Sequence, residues 1–159
     1  MNSNSFKSID RFFKAKSVVF IGGKDLFVPI RELKRRGFRG KIFIVNPKRL
    51  KIGSYKCLRK VSDLPLSPDA AFIAIPASEV ISTVRELKAV KCKGIVCYSA
   101  GFKETGKTGK DLEDTLIKEC GDVPLIGPNC YGFINFSDNV ALWPFSHKGA
   151  RCKKGIALI

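Results

Sequence analysis

Five short apolar runs, each closed by glycine, proline or small polar residues, alternate with amphipathic segments along this chain. The runs are Ser17 to Ile21, Lys41 to Val45, Ala70 to Ile75, Gly94 to Tyr98, and Pro124 to Ile126. Most are continuous rather than alternating in polarity. A strand that is apolar on both sides must be covered on both sides, which is the condition of a parallel sheet between helices. The segments between them carry helical spacing. Val28 to Arg36 reads as a short helix stopped by Gly37. Val80, Ile81, Val84 and Leu87 fall on one face of a helix running to about Val90, with Ser78 as its expected cap. Thr108 and Asp111 have the spacing of a capping box, opening a helix through about Cys120. Strand–helix alternation with right-handed crossovers predicts an α/β fold, a doubly wound parallel sheet of the Rossmann-like kind. With 159 residues, one domain over residues 1–150 is expected. Residues 151–159, ending Gly155-Ile-Ala-Leu-Ile159, read as the opening strand of a following domain.

Ligands of doubly wound sheets bind beyond the carboxyl ends of the strands. Here those ends are Gly22-Gly23, Asn46-Pro-Lys48, Pro76-Ala-Ser78, Ser99-Ala-Gly-Phe102 and Gly127-Pro-Asn-Cys130. All are glycine, proline or small polar clusters. Gly22 and Gly23 allow backbone to approach a phosphate, although G-x-G-x-x-G is not complete. A site for NAD calls for a carboxylate about 20 residues on, to hold the ribose hydroxyls. Asn46-Pro-Lys-Arg49 stands there instead. Two cations in place of an acid favour a ribose that carries a phosphate, and both NADP and coenzyme A meet that description. Ser99 to Phe102 leaves room for a thin chain such as a pantetheine arm. Asn129 and Cys130 present an amide and a thiol after the last run.

The charge balance leaves a second class of partner open. Lysine and arginine number 29 against 14 acids, a net charge of +15. Such a surface attracts anions, and Lys34-Arg-Arg36, Arg39, Lys41, Lys48-Arg49 and Lys51 could serve a nucleic acid, yet no nucleic-acid motif accompanies them. Six cysteines without a C-x-x-C pair, and a single histidine, do not make a metal site. No catalytic set is expected either: His147 has no adjacent nucleophile, and Cys130 no partnering base. No apolar run reaches the roughly 20 residues of a membrane span, and the N-terminus lacks a secretory signal, so no membrane partner and a cytoplasmic location are expected.

Taken in order, the pieces resemble the coenzyme A-binding domain of the NDP-forming acyl-CoA synthetases. That group includes succinyl-CoA synthetase alpha subunits, ADP-forming acetyl-CoA synthetases and related protein acetyltransferases. The segments that carry the resemblance are Phe12-Phe13 with Ser17 to Gly22, Gly37 to Ile42, Val45-Asn-Pro-Lys48, Leu64-Pro65 with Pro68-Asp-Ala70, Ile73 to Ala77, Ser99 to Phe102 with Glu104-Thr-Gly106, and Ile126 to Cys130 with Gly132. The resemblance implies that Gly22 and Gly23 approach the phosphates of coenzyme A or an acyl-CoA. It places Lys48 near the phosphorylated adenosine end. Ile75, Pro76 and Ala77 would line the middle of the cofactor, and Ser99, Ala100, Gly101 and Phe102 would flank the pantetheine. Asn129 and Cys130 would stand near its thiol. The segment from Gly23 to Ile30 departs from the family pattern, which implies a shorter phosphate loop. The chain would act as a coenzyme A-binding module, not catalytic alone and reduced to a fragment. A separate ligase subunit would carry the phosphohistidine and nucleotide-grasp domains. The alternative is a basic nucleic-acid-binding protein.

Overall fold

The computed structural model describes residues 3–147 and Gly149. A helix α1 (Ser3–Phe13) leads into strand β1 (Ser17–Gly22), all six residues of which are buried. A single 3-10 turn, Lys24–Leu26, joins β1 to α2 (Phe27–Arg35). Strand β2 (Lys41–Val45) is followed by a hairpin of β3 (Lys51–Ile52) and β4 (Tyr55–Leu58). Then come β5 (Ala70–Ala74), α3 (Ala77–Ala89), β6 (Ile95–Cys97), α4 (Lys107–Cys120) and β7 (Leu125–Ile126). The sheet runs in the order β3-β4-β2-β1-β5-β6-β7. All its pairs are parallel except the β3–β4 hairpin. Strands β8 (Phe133–Asn135) and β9 (Val140–Leu142) form a separate antiparallel pair. This is the expected α/β doubly wound sheet. Gly155 to Ile159, expected to open a further domain, lies outside the described residues.

The unbroken apolar strands divide between two cores because successive side chains point to opposite faces. Val18, Phe20 and Phe72 pack on one face with Phe12 of α1 and Ile30 and Leu33 of α2. Val19, Ile21 and Ile73 pack on the other with Val80, Val84 and Leu87 of α3 and Leu116 of α4. Cys92, Cys97 and Cys120 belong to that second core. Burial pushes the thiols of Cys92 and Cys97 up to about 12, and that of Cys120 to about 11, so these sulfurs stay protonated and pack as small apolar groups.

Both expected helix caps are displaced. Helix α3 begins at Ala77, its cap position held by Pro76 in extended geometry, and Ser78 lies inside the first turn. The fixed φ of proline holds the strand-to-helix corner without a side-chain acceptor. Helix α4 begins at Lys107 after Gly106, whose φ of 95° makes the turn; Thr108 and Asp111 are already helical. Helix α1 is not among the expected elements, although Phe6, Ile9, Phe12 and Phe13 recur at helical spacing, and the β3–β4 hairpin is too short to show an alternating apolar pattern. Phe12 of α1 is only 1% exposed, packed in the first core.

Residues 143–147 fold back onto α2. There Glu32, 2% exposed, takes Arg35 Nε and Nη2 on one oxygen at 3.0 and 2.7 Å and the Ser146 hydroxyl on the other at 3.1 Å. The Arg36 guanidinium lies 2.7 Å from His147 Nδ1. Burial, with Arg36 alongside, holds His147 below the ordinary imidazole range, so its ring is neutral at pH 7. For Glu32, burial favours the protonated acid, but the bonds from Arg35 and Ser146 and the Arg35 and Arg31 charges outweigh it, and its pKa falls below the ordinary value. A carboxyl whose pKa is lowered by folding stabilises the fold above its unfolded value, and that contribution is lost as pH falls through the folded one. Chemical denaturation as a function of pH should therefore show stability declining below about pH 5. Glu32→Gln should lower stability at pH 7 and flatten that decline; an unchanged acid limb would show that this carboxylate is not the group responsible.

Candidate functional site

The chain leaves β1 towards β2 on one side of the sheet and returns beside it as β5 on the other. This crossing point is where a doubly wound sheet opens a crevice. A cavity of about 460 Å³ lies there, and Gly22, Gly23, Lys48, Ile75 and Pro76 all line it. Five of the twelve residues expected at a ligand site are thus brought together at the ends of β1, β2 and β5.

The two glycines differ in role. Gly22 has φ 156°, and a Cβ there would meet the Ala74 carbonyl oxygen at 2.5 Å. It is required by the close pairing of β1 with β5. At Gly23 a Cβ would meet no protein atom within 4 Å. Its bare backbone faces open space in the cavity wall. The short turn after it is anchored by Leu26, which is fully buried. Helix α2 therefore starts four residues past Gly23, and Asp25 sits in the first turn of the intervening 3-10 segment.

Side-chain amides and hydroxyls stitch the strand ends to one another. Asn46, at the end of β2, donates Nδ2 to the Gly22 carbonyl at 2.6 Å, while its Oδ1 accepts from the backbone N–H of Lys48 and Arg49 at 2.9 and 2.7 Å. That turn fixes where Lys48 leaves the strand. Ser99, 6% exposed, accepts the Ile75 N–H on its hydroxyl at 3.1 Å, and its carbonyl accepts the Asn129 N–H at 3.0 Å. Ser99 thereby ties the ends of β5, β6 and β7 into one rim.

The remaining expected residues lie along that rim or behind it. Ala77 opens α3, and a Cβ on Gly101 would touch its side chain at 3.1 Å. Ala100 and Asn129 are exposed and Cys130 is half-buried. Asn129 takes a φ of 51°, following the cis peptide between Gly127 and Pro128. Phe102 is fully buried in the core beneath α3 and α4, where it packs as a core side chain. Beyond the β6 end, Tyr98, Tyr131 and Phe145 form an aromatic group, with Tyr131 and Phe145 edge to face at 5.0 Å.

Other cavity residues escaped the sequence reading. Arg59 and Lys60 line the cavity beside Lys48, and Glu79 and Glu86 line it from α3. Arg59 follows β4, a parallel neighbour of β2 that was not recognised as a strand, so its carboxyl end was not counted among the strand ends. The glutamates lie seven positions apart on α3, on the exposed side of a helix whose apolar face had drawn attention.

The arrangement offers an open glycine for a phosphate, an apolar wall at Ile75 and Pro76, and a cationic rim. Among the described residues no cluster suited to a metal ion occurs, and no helix is long and apolar enough to cross a membrane.

Comparison with known proteins agrees with this geometry. Residues 25–135 match the family described as CoA binding domain. The chain is 39% identical over 145 residues to a trans-feruloyl-CoA synthase from an unknown prokaryotic organism, covering 87% of this chain and 20% of that protein. It is 30% identical to the alpha subunit of the ADP-forming acetate–CoA ligase II of Pyrococcus furiosus, covering 83% of this chain and 30% of that one. The structure of a dinucleotide-forming acetyl-coenzyme A synthetase 1 from Ca. Korarchaeum cryptofilum, in complex with phosphate and ADP, superposes with a TM-score of 0.75 at 27% identity, over 86% of this chain and 30% of that one. The chain thus spans between a fifth and a third of the length of these three proteins. None of these three is a nucleic-acid-binding protein by name, and the nucleic-acid alternative gains no support. The family match, the sheet order and the ligase relatives agree: this chain belongs to the CoA-binding domain family of the NDP-forming acyl-CoA synthetases.

Proposed function

We propose that this domain binds coenzyme A, or an acyl-CoA, in the cavity at the ends of β1, β2 and β5, and presents the thiol to a ligase subunit. The observation that carries this reading is the convergence of Gly22, Gly23, Lys48, Ile75 and Pro76 on one cavity at the crossing point of a CoA-binding family fold. The phosphates lie against Gly23, and the adenosine end lies towards Lys48. The pantetheine arm runs past Ala77, Ala100 and Gly101, and the thiol reaches Asn129 and Cys130. Phe102 supports that path from the core. A relative named as an alpha subunit supports a partner subunit for the chemistry, and the domain alone binds without turning over. We place this function in the cytoplasm.

Isothermal titration of the purified domain with coenzyme A tests the reading. Saturable heat with one site per chain is expected, surviving at 0.2 M salt or thereabouts, where nonspecific binding of a control DNA duplex collapses. No heat at millimolar coenzyme A, or salt-sensitive binding of the duplex alone, would overturn it.

A further inference from the structure

The cavity has two walls of opposite charge. Strands β2 and β4 run parallel, with Val45 opposite Leu58, and the Asn46 N–H donates to the Leu58 carbonyl at 3.0 Å. Their carboxyl ends therefore release Pro47-Lys48 and Arg59-Lys60 side by side. Arg59 donates a guanidinium N–H to the Pro47 carbonyl, which holds it across the end of β2. Lys48, Arg59 and Lys60 all line the cavity, and among the described residues none has a carboxylate within ion-pair distance. Asp63, the nearest acid in sequence, turns its carboxylate to the Lys60 backbone N–H at 3.2 Å. The facing wall, from α3, carries Glu79 and Glu86.

Three cations held together without a counter-charge repel one another, and a dianion between them relieves that repulsion. A phosphomonoester suits the gap: it is doubly charged and presents three acceptor oxygens, which a guanidinium and two ammonium groups can reach together. The glutamates opposite would repel the same group, so the two walls also set which way round a nucleotide lies. Resting on the coenzyme A reading above, we propose that Arg59 and Lys60 join Lys48 in a clamp for the 3′-phosphate of the cofactor, making the domain select coenzyme A over dephospho-coenzyme A. All three side chains are exposed and outside the core, so the clamp is a matter of recognition and not of folding.

Titrating both ligands into the wild-type domain and into Arg59→Gln/Lys60→Gln tests this. The wild type should bind coenzyme A at least about tenfold more tightly than its dephospho form, the worth of one good charge-assisted contact. The double variant should narrow that ratio to about threefold or less, chiefly by weakening coenzyme A, with an unchanged melting temperature. Arg59→Lys should restore part of the preference. A wild type that binds both ligands equally, or a double variant that keeps the full preference, would overturn the clamp while leaving the coenzyme A reading standing. A wild type that binds neither would overturn both.

Discussion

Replacing Asp69 by alanine is expected to lower the unfolding free energy by about 2–5 kcal/mol, the cost of leaving buried hydrogen-bond donors without their acceptor. Asp69 is 5% exposed, immediately before β5. Its Oδ2 accepts the backbone N–H groups of Lys16 and Ser17 at 3.0 and 3.1 Å and the Ser17 hydroxyl at 3.0 Å. Its Oδ1 accepts Arg11 Nε and Nη2 at 3.0 and 2.6 Å. One carboxylate thus ties α1 and the start of β1 to the start of β5. The Arg11 side chain is 57% exposed, so its ion pair contributes little after solvent screening. The larger loss comes from the buried Ser17 N–H and hydroxyl, which lose their acceptor. Urea denaturation should show a lower midpoint with an unchanged slope. Asp69→Asn keeps one acceptor oxygen and should lose roughly half as much. An alanine variant within about 1 kcal/mol of the wild type would show that the tie does not hold the sheet together.

The second large effect is on binding and should leave the fold alone. Gly23→Leu introduces a branched side chain at φ −96°, an ordinary conformation for any residue, where no protein atom lies within 4 Å. Stability should change by less than about 1 kcal/mol. The leucine nevertheless occupies the space where a pyrophosphate would meet the backbone. Coenzyme A affinity should fall by at least about 100-fold, or about 2.7 kcal/mol. Gly22→Ala is the instructive contrast. There the new methyl would lie 2.5 Å from the Ala74 carbonyl and press β1 away from β5, so stability itself should fall, by roughly 1–3 kcal/mol. Thermal melts and titrations on the two variants separate the roles. A Gly23→Leu domain that binds coenzyme A as the wild type does would move the cofactor out of this cavity.

The elements differ in how readable they were. Strands β1, β2, β5 and β6 announce themselves as unbroken apolar runs, because a residue buried on either face must be apolar. Helices α3 and α4 show in their periodicity, although their first residues are set by Pro76 and Gly106 and not by the hydroxyl side chains nearby. The β3–β4 hairpin stayed hidden since Lys51 and Lys56, paired across it, carry no apolar signal. With the hairpin went Arg59 and Lys60, whose position depends on β4 lying beside β2. Phe102 differs from its exposed neighbour Ala100 in a way the sequence does not show: its side chain fills the core behind the rim.

By itself the sequence determined the layered α/β architecture, the glycine- and proline-rich character of the strand ends and the cationic bias of the β2 end. These are local properties, each written in a few consecutive residues whose burial or turn geometry admits little else. Only the tertiary structure decided which strand ends share a cavity. That depends on strand order, with β1 between β2 and β5 and β4 beyond β2, and strand order is set by how crossovers pack over the sheet. Residues far apart in the chain, Gly23, Lys48, Arg59 and Ile75, become neighbours only through that packing.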